Sequence, residues 1–127
     1  SIAEIVKATL DSISFQTLEL IQCMQKDSNV KINEIRVDGG MIQNNSFIQS
    51  LSNITRIKIT KPINIETTSL GVAYLAGLQS GIIKNTKQIE NFWKKNKTYE
   101  PLIKKNIIDI EVKKWKRALK LLINSDF

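Results

Sequence analysis

The chain of 127 residues carries 19 Lys and Arg against 12 Asp and Glu, a net charge of +7; at this length it buries roughly two thirds of its unfolded surface, enough for one core but not comfortably two. With 42% hydrophobic and 24% charged residues it has the composition of a soluble globular domain, and no apolar run approaches the ~18 residues of a membrane span. Zero His excludes His-dependent acid–base chemistry, His metal ligation and Ser/His nucleophilic catalysis within these residues, while one Cys excludes an internal disulfide and fits a reducing compartment.

Ser1-Ile2-Ala3-Glu4 shows neither an initiator Met nor a targeting pattern and runs straight into a helix, so the chain is expected to begin inside a longer protein. From Ala3 to about Lys26, Ile5, Val6, Leu10, Ile13, Leu18, Ile21 and Met24 recur at three- and four-residue intervals, which predicts a long amphipathic helix closed by Asp27-Ser28-Asn29. Cys23, among Leu20, Ile21 and Met24, reads as a small core residue. Lys31–Val37 reads as a strand and Asn44 to about Asn53 as a helix with Phe47, Ile48 and Leu51 facing inward. Arg56–Thr60 alternates with period two and is followed by Pro62, which predicts a second strand near a sheet edge. Strand, helix and strand within about thirty residues require a crossover, hence a parallel pair with a right-handed connection.

Glu66-Thr67-Thr68-Ser69 opens a further helix, with a Thr or Ser expected at the N-cap and Gly81 after its end. Gly71 and Gly77 inside it suggest close packing on the sheet or on the preceding helix, since an interior glycine costs about 1 kcal/mol relative to Ala. Thr86 to about Trp93 predicts a short helix, residues 94–107 a polar linker around Pro101, and Ile108, Val112, Trp115, Leu119 and Leu122 a final amphipathic helix. Residues 1–83 hold seven bases and seven acids, residues 84–127 twelve against five, so the net charge lies wholly at the end. A site for RNA, DNA or an anionic lipid surface is one reading of that charge; a solvated face in a Lys-, Asn- and Ile-rich chain is preferred, because the lysines are scattered and no aromatic-basic stacking motif accompanies them.

The stretch that carries the most chemistry is Arg36-Val-Asp-Gly-Gly-Met-Ile-Gln-Asn44-Asn45. A strand ending in Asp38-Gly39-Gly40 lets the backbone turn freely and lets a flat ligand lie on bare main chain, and Asn44 offers an amide donor and acceptor suited to a purine edge. These residues alone fit a plain β-turn-α connection better than a ligand site, with Asp38 fixing the turn by accepting backbone N–H bonds.

That stretch, together with Glu66-Thr-Thr-Ser-Leu-Gly-Val-Ala-Tyr-Leu-Ala-Gly77, Ala8-Thr-Leu-Asp-Ser-Ile13 with Phe15-Gln-Thr17, Tyr99-Glu-Pro101 and Trp115-Lys-Arg-Ala118, resembles the carboxyl-terminal part of glycerol kinases over essentially all 127 residues. Related sugar kinases look similar in the Gly-Gly turn and the Leu-Gly-Val-Ala-Tyr-Leu-Ala helix, but Val-Asp-Gly-Gly and Glu-Thr-Thr are more like the glycerol enzymes. The resemblance implies an α/β fold, the carboxyl-terminal part of the second actin-like (RNase H-like) ATPase domain of a sugar kinase, with a short, mostly parallel sheet and flanking helices. It implies one partial domain over 1–127 that holds the adenosine end of ATP or ADP, at Gly40 and Asn44 and secondarily Gly39, with Mg²⁺ bound mainly through the nucleotide and the opposite lobe. Glycerol, the catalytic base and the phosphate-gripping loops would belong to the amino-terminal sequence, so no catalytic or metal-ligating residue is expected here and the chain alone should be inactive. A cytoplasmic location and a homo-oligomeric intact enzyme are implied; neither a membrane nor nucleic acid is expected as partner. Two other readings stand beside it: the same part of another carbohydrate kinase such as a pentulose kinase, and a stand-alone basic module for an acidic partner.

Overall fold

A computed structural model describes residues 1–124. Its elements run α1 (Ile2–Ser28), β1 (Glu34–Arg36), a 3₁₀ turn (Gly40–Gln43), α2 (Asn45–Thr55), β2 (Lys58–Pro62), α3 (Thr67–Gln79), α4 (Thr86–Phe92), β3 (Lys95–Tyr99) and α5 (Lys105–Ile123). The expected α/β architecture is present, as a three-stranded sheet in the order β1-β2-β3 with the helices around it.

Both ends of α1 are defined by local chemistry. Ser1 and Glu4 form a capping box at its start. Asn29 closes the helix in the left-handed conformation at φ 54°, which asparagine tolerates better than most residues. Only Ser14, Leu18 and Ile21 of α1 are buried, and Cys23 is exposed rather than in the core.

The core forms where α2 meets the sheet. Ile42, Phe47, Ile48, Leu51, Ile59 and Tyr99 make one buried cluster, to which Leu10 and Ile13 of α1, Ile35 of β1 and Val37 just after it are added. Leu18, Ile54 and Ile108 make a second, joined by Phe15 and Val112, and the Phe15 and Trp115 rings stack at 5.3 Å to bring α5 against α1. Ser50 Oγ also donates to Asp11 Oδ1 at 2.6 Å, tying α2 to α1.

The sheet departs from expectation in two ways. β1 and β2 are parallel, in register Ile35 opposite Ile59, but β2 is the central strand and not an edge. Pro62, which had argued for an edge, sits where the β2–β3 register shifts, so its lack of an N–H falls on an irregular part of the ladder. The second departure is β3, which lies within the stretch read as polar linker and pairs antiparallel with β2, making the sheet mixed. Its Lys95-Asn-Lys-Thr98 has no apolar alternation; the strand is secured by tertiary bonds instead. Ser52 Oγ donates to Tyr99 O at 3.0 Å, Tyr99 Oη donates to Asn45 Oδ1 at 2.5 Å, and Gln49 Nε2 donates to Glu100 O at 2.8 Å. Asn53 Oδ1 accepts from the backbone N–H groups of Leu102 and Ile103 at 2.7 and 3.2 Å, so the segment leading to α5 is pinned to α2.

α3 also differs from its expected packing. It buries no residue, and its N-cap is Glu66, which makes no side-chain cap bond, in place of the expected Thr or Ser. A Cβ on Gly71 would meet nothing within 4 Å; one on Gly77 would meet Ile83 Cδ1 at 2.8 Å, so the close approach there is to the segment just after the helix and not to the sheet.

Candidate functional site

The ligand-side end of a parallel strand pair is its carboxyl end, where two connections leave side by side. Here the turn after β1 and the segment after β2 meet there. The ladder continues past the strands through Val37 N to Thr60 O at 3.2 Å, and Gly39 N then donates to Ile65 O at 3.3 Å. Among the described residues Asp38 accepts none of the backbone N–H bonds expected of a turn-fixing residue; its carboxylate takes the Thr67 hydroxyl at the start of α3. One hydrogen bond between main chains and one between side chains thus clamp the two connections together.

Within that clamp the two glycines do different work. Gly39 stands at φ 84°, ψ 177°, a region open essentially only to glycine, so the turn requires it. Gly40 begins the 3₁₀ turn outside the left-handed region, and a Cβ there would meet nothing within 4 Å. It therefore has no steric reason inside the described residues to be glycine. Its main chain is exposed, and the space above it is open.

Asn44 is placed by capping. Its Oδ1 accepts from Ser46 N and Phe47 N at 3.0 and 3.1 Å, so the amide does not offer both an acceptor and a donor outward as expected; only the Nδ2 donors remain for a ligand. Because that side chain already occupies two first-turn amides, an anion at this end of α2 would have to displace the cap, and a neutral nucleoside edge is the better fit. Preference for Asn at the N-cap was a signal already present in the sequence.

Gly40 and Asn44 are exposed and Gly39 half-buried, and together they form a shelf that lines neither of two nearby clefts. One cleft, about 610 Å³, lies between the end of β2, α3 and α4 and takes in Arg36, Asn64, Thr67, Gly71, Tyr74 and Trp93. Its walls are stiffened by the Arg36 guanidinium 4.2 Å above the Trp93 ring and by the stacked Tyr74 and Phe92 rings. The other, about 940 Å³, lies between α1, the start of α2 and α5 and takes in Asn45. Among the described residues no group of three or more His, Cys, Asp or Glu side chains is arranged to hold a metal ion, and no helix is long and apolar enough to cross a membrane. Sequence reasoning missed the Asp38–Thr67 link, although adjacent parallel strands necessarily bring their following segments together.

The C-terminal domain of the FGGY family of carbohydrate kinases matches residues 1–80. Glycerol kinase of Malacoplasma penetrans is 41% identical over 120 residues, covering 94% of this chain and 24% of that protein. The crystal structure of Plasmodium falciparum glycerol kinase with ADP superposes with a TM-score of 0.81 at 27% identity, covering 96% of this chain and 24% of that one. Xylulose kinase from Lactobacillus acidophilus, at 21% identity and a TM-score of 0.64 over 93% of this chain and 23% of its own, shares the fold. The chain spans about a quarter of the length of the curated relatives it matches.

Proposed function

The chain belongs to the FGGY family of carbohydrate kinases, and from that premise we propose that it is the nucleotide-binding, carboxyl-terminal part of a glycerol kinase, an enzyme that moves the γ-phosphate of ATP to glycerol to give glycerol 3-phosphate. The observation that carries this reading is the Gly39–Gly40 shelf beside the Asn44-capped start of α2, at the carboxyl ends of two clamped parallel strands, in a chain 41% identical to a glycerol kinase over 120 residues. The glycerol reading is favoured over a pentulose reading because the xylulose kinase likeness, at 21%, extends to the fold alone.

On this reading the chain binds and orients, and it does no bond chemistry. The adenosine end of ATP or ADP lies on the bare main chain of Gly40 and Gly39, with Asn44 Nδ2 donating to the base or ribose. Kinases of this type work by holding ATP, cation and acceptor hydroxyl in line while a carboxylate takes the hydroxyl proton. That carboxylate and the glycerol site belong to the part of the kinase outside this chain. Mg²⁺ favours nucleotide phosphates and water as ligands; with no carboxylate cluster at the shelf, it would arrive on the nucleotide and be held from the opposite lobe. The intact enzyme is read as a cytoplasmic homo-oligomer, and residues 1–127 as one partial domain of it.

The test is Gly40→Val in the intact kinase. Nothing lies within 4 Å of a Cβ at this position and the backbone is outside the left-handed region, so the variant should fold. The expected result is an ATP Michaelis constant raised about tenfold, or about 1.4 kcal/mol of lost nucleotide binding, with glycerol affinity retained. An unchanged ATP constant in a folded variant would remove Gly40 from the site.

A further inference from the structure

α5 carries six of the twelve basic residues of 84–127 and winds five of them into a pattern that their spacing along the chain conceals. Its inner face is Ile108, Val112, Trp115 and Leu119, all buried or half-buried toward α1 and α2. At 100° per residue the opposite face is the stripe Ile110, Lys113, Arg117 and Leu121. Every member is exposed, Ile110 by 53% and Leu121 by 67%. Lys116 and Lys120 flank the stripe on one side and Lys114 on the other. The helix has two acids: Glu111 accepts from Lys114 Nζ at 2.9 Å, and Asp109 lies at the stripe's margin.

We propose that this outward stripe of α5 docks the chain on an anionic lipid surface, the cations meeting acidic headgroups and Ile110 and Leu121 entering the boundary with the acyl chains. The inference is independent of the kinase reading, since it uses no residue of the nucleotide shelf. Charge complementarity selects an acidic partner, and the two aliphatic side chains bracketing Lys113 and Arg117 select lipid over nucleic acid. Single-strand binders present exposed aromatic side chains for base stacking, whereas Trp115 of α5 is turned inward onto Phe15 and donates through Nε1 to Glu19 at 3.2 Å.

The experiment is co-sedimentation of the full 127-residue chain with vesicles of phosphatidylserine and phosphatidylcholine, and with phosphatidylcholine alone. Binding is expected only to the anionic vesicles, and it should weaken with salt. Removing Lys113 and Arg117 together as Gln should weaken it about 25-fold, at about fivefold for each charge near the surface. Ile110→Ser with Leu121→Ser should weaken it severalfold at constant charge, and Lys84→Gln with Lys87→Gln should leave it unchanged; circular dichroism would verify that each variant is folded. The proposal is overturned by absence of binding to anionic vesicles, or by equal losses in the Lys113/Arg117 and Lys84/Lys87 variants. Tighter binding to single-stranded RNA that ignores the Ser substitutions would overturn it too.

Discussion

α2 and α3 each follow a strand of the same parallel pair, yet α2 buries Phe47, Ile48, Leu51 and Ile54 while α3, richer in apolar residues, buries none. In α2 the apolar residues fall on one stripe that meets β2 and α1, and polar residues cover the rest. In α3 they are spread around the helix, with Val72 and Leu75 exposed by 66% and 69%. Burial follows the direction of the apolar residues more than their number, and a helix apolar all round is suited to neighbours on several sides. On the proposed reading those neighbours are the remainder of the kinase, and α3 is attached here through Thr67 to Asp38 and through the Tyr74–Phe92 stack.

Truncating one side chain on each helix is the strongest way to break this contrast. Ile48→Ala, at a fully buried position, should lower the unfolding free energy by about 2–5 kcal/mol in urea denaturation. Leu75→Ala in the same chain should change it by no more than ~0.5 kcal/mol. Similar losses at both positions would mean that α3 is packed after all. In an intact kinase the Leu75 loss should grow beyond about 1 kcal/mol, which would sharpen the contrast by showing where the rest of the protein sits.

The glycine pair gives a smaller contrast of the same kind. Gly39→Ala should cost about 1–3 kcal/mol of stability, because alanine is strained at φ 84° and ψ 177°. Gly40→Ala should stay within ~0.5 kcal/mol, since its Cβ enters open space. Equal stability losses would contradict the division of the two glycines into one that shapes the turn and one that leaves room for a ligand.

The smallest effect lies at the exposed margin of the β1–β2 seam. The Thr60 hydroxyl donated to Glu34, aided by Lys58 Nζ 3.6 Å away, holds the Glu34 carboxyl below its ordinary value of 4.5. A folded-state pKa below the unfolded one contributes stability that is present above the unfolded value and is lost as pH falls through the folded one. The contribution is minor because the carboxylate is solvated. A carboxyl titration by NMR should place the Glu34 midpoint below that of an unfolded chain, and Thr60→Val should move it back upward. An unmoved midpoint in the variant would assign the shift to other groups.

Much of this architecture is legible in the residues, for reasons that also explain the exceptions. α1, α2 and α5 announce themselves through apolar spacing, and the parallel β1–β2 pair follows from the short crossover between them. β3 does not, because Lys95-Asn-Lys-Thr98 has no periodic signal and the strand is held at Tyr99 by Ser52 and Asn45, residues remote in the chain. Cys23 was misplaced because apolar neighbours along a helix point in several directions. At the shelf, Gly39 and Gly40 stand out in the sequence, but their different roles depend on backbone angles that only the folded turn defines. The capping role of Asn44 was visible as a preference, whereas its cost to the ligand, an acceptor already engaged, required the contacts to Ser46 and Phe47.

The central claim is that nucleotide lies on the Gly39–Asn44 shelf, and an ADP titration of the ¹⁵N-labelled chain followed by NMR tests it most directly. Holding one wall of the cleft without phosphate contacts, the chain should bind with a dissociation constant on the order of 1 mM. The account predicts saturable amide shifts at Gly39, Gly40 and Asn44, extending across the clamp to Ile65 and Thr67. Shifts that saturate elsewhere while those five amides stay unmoved would contradict it.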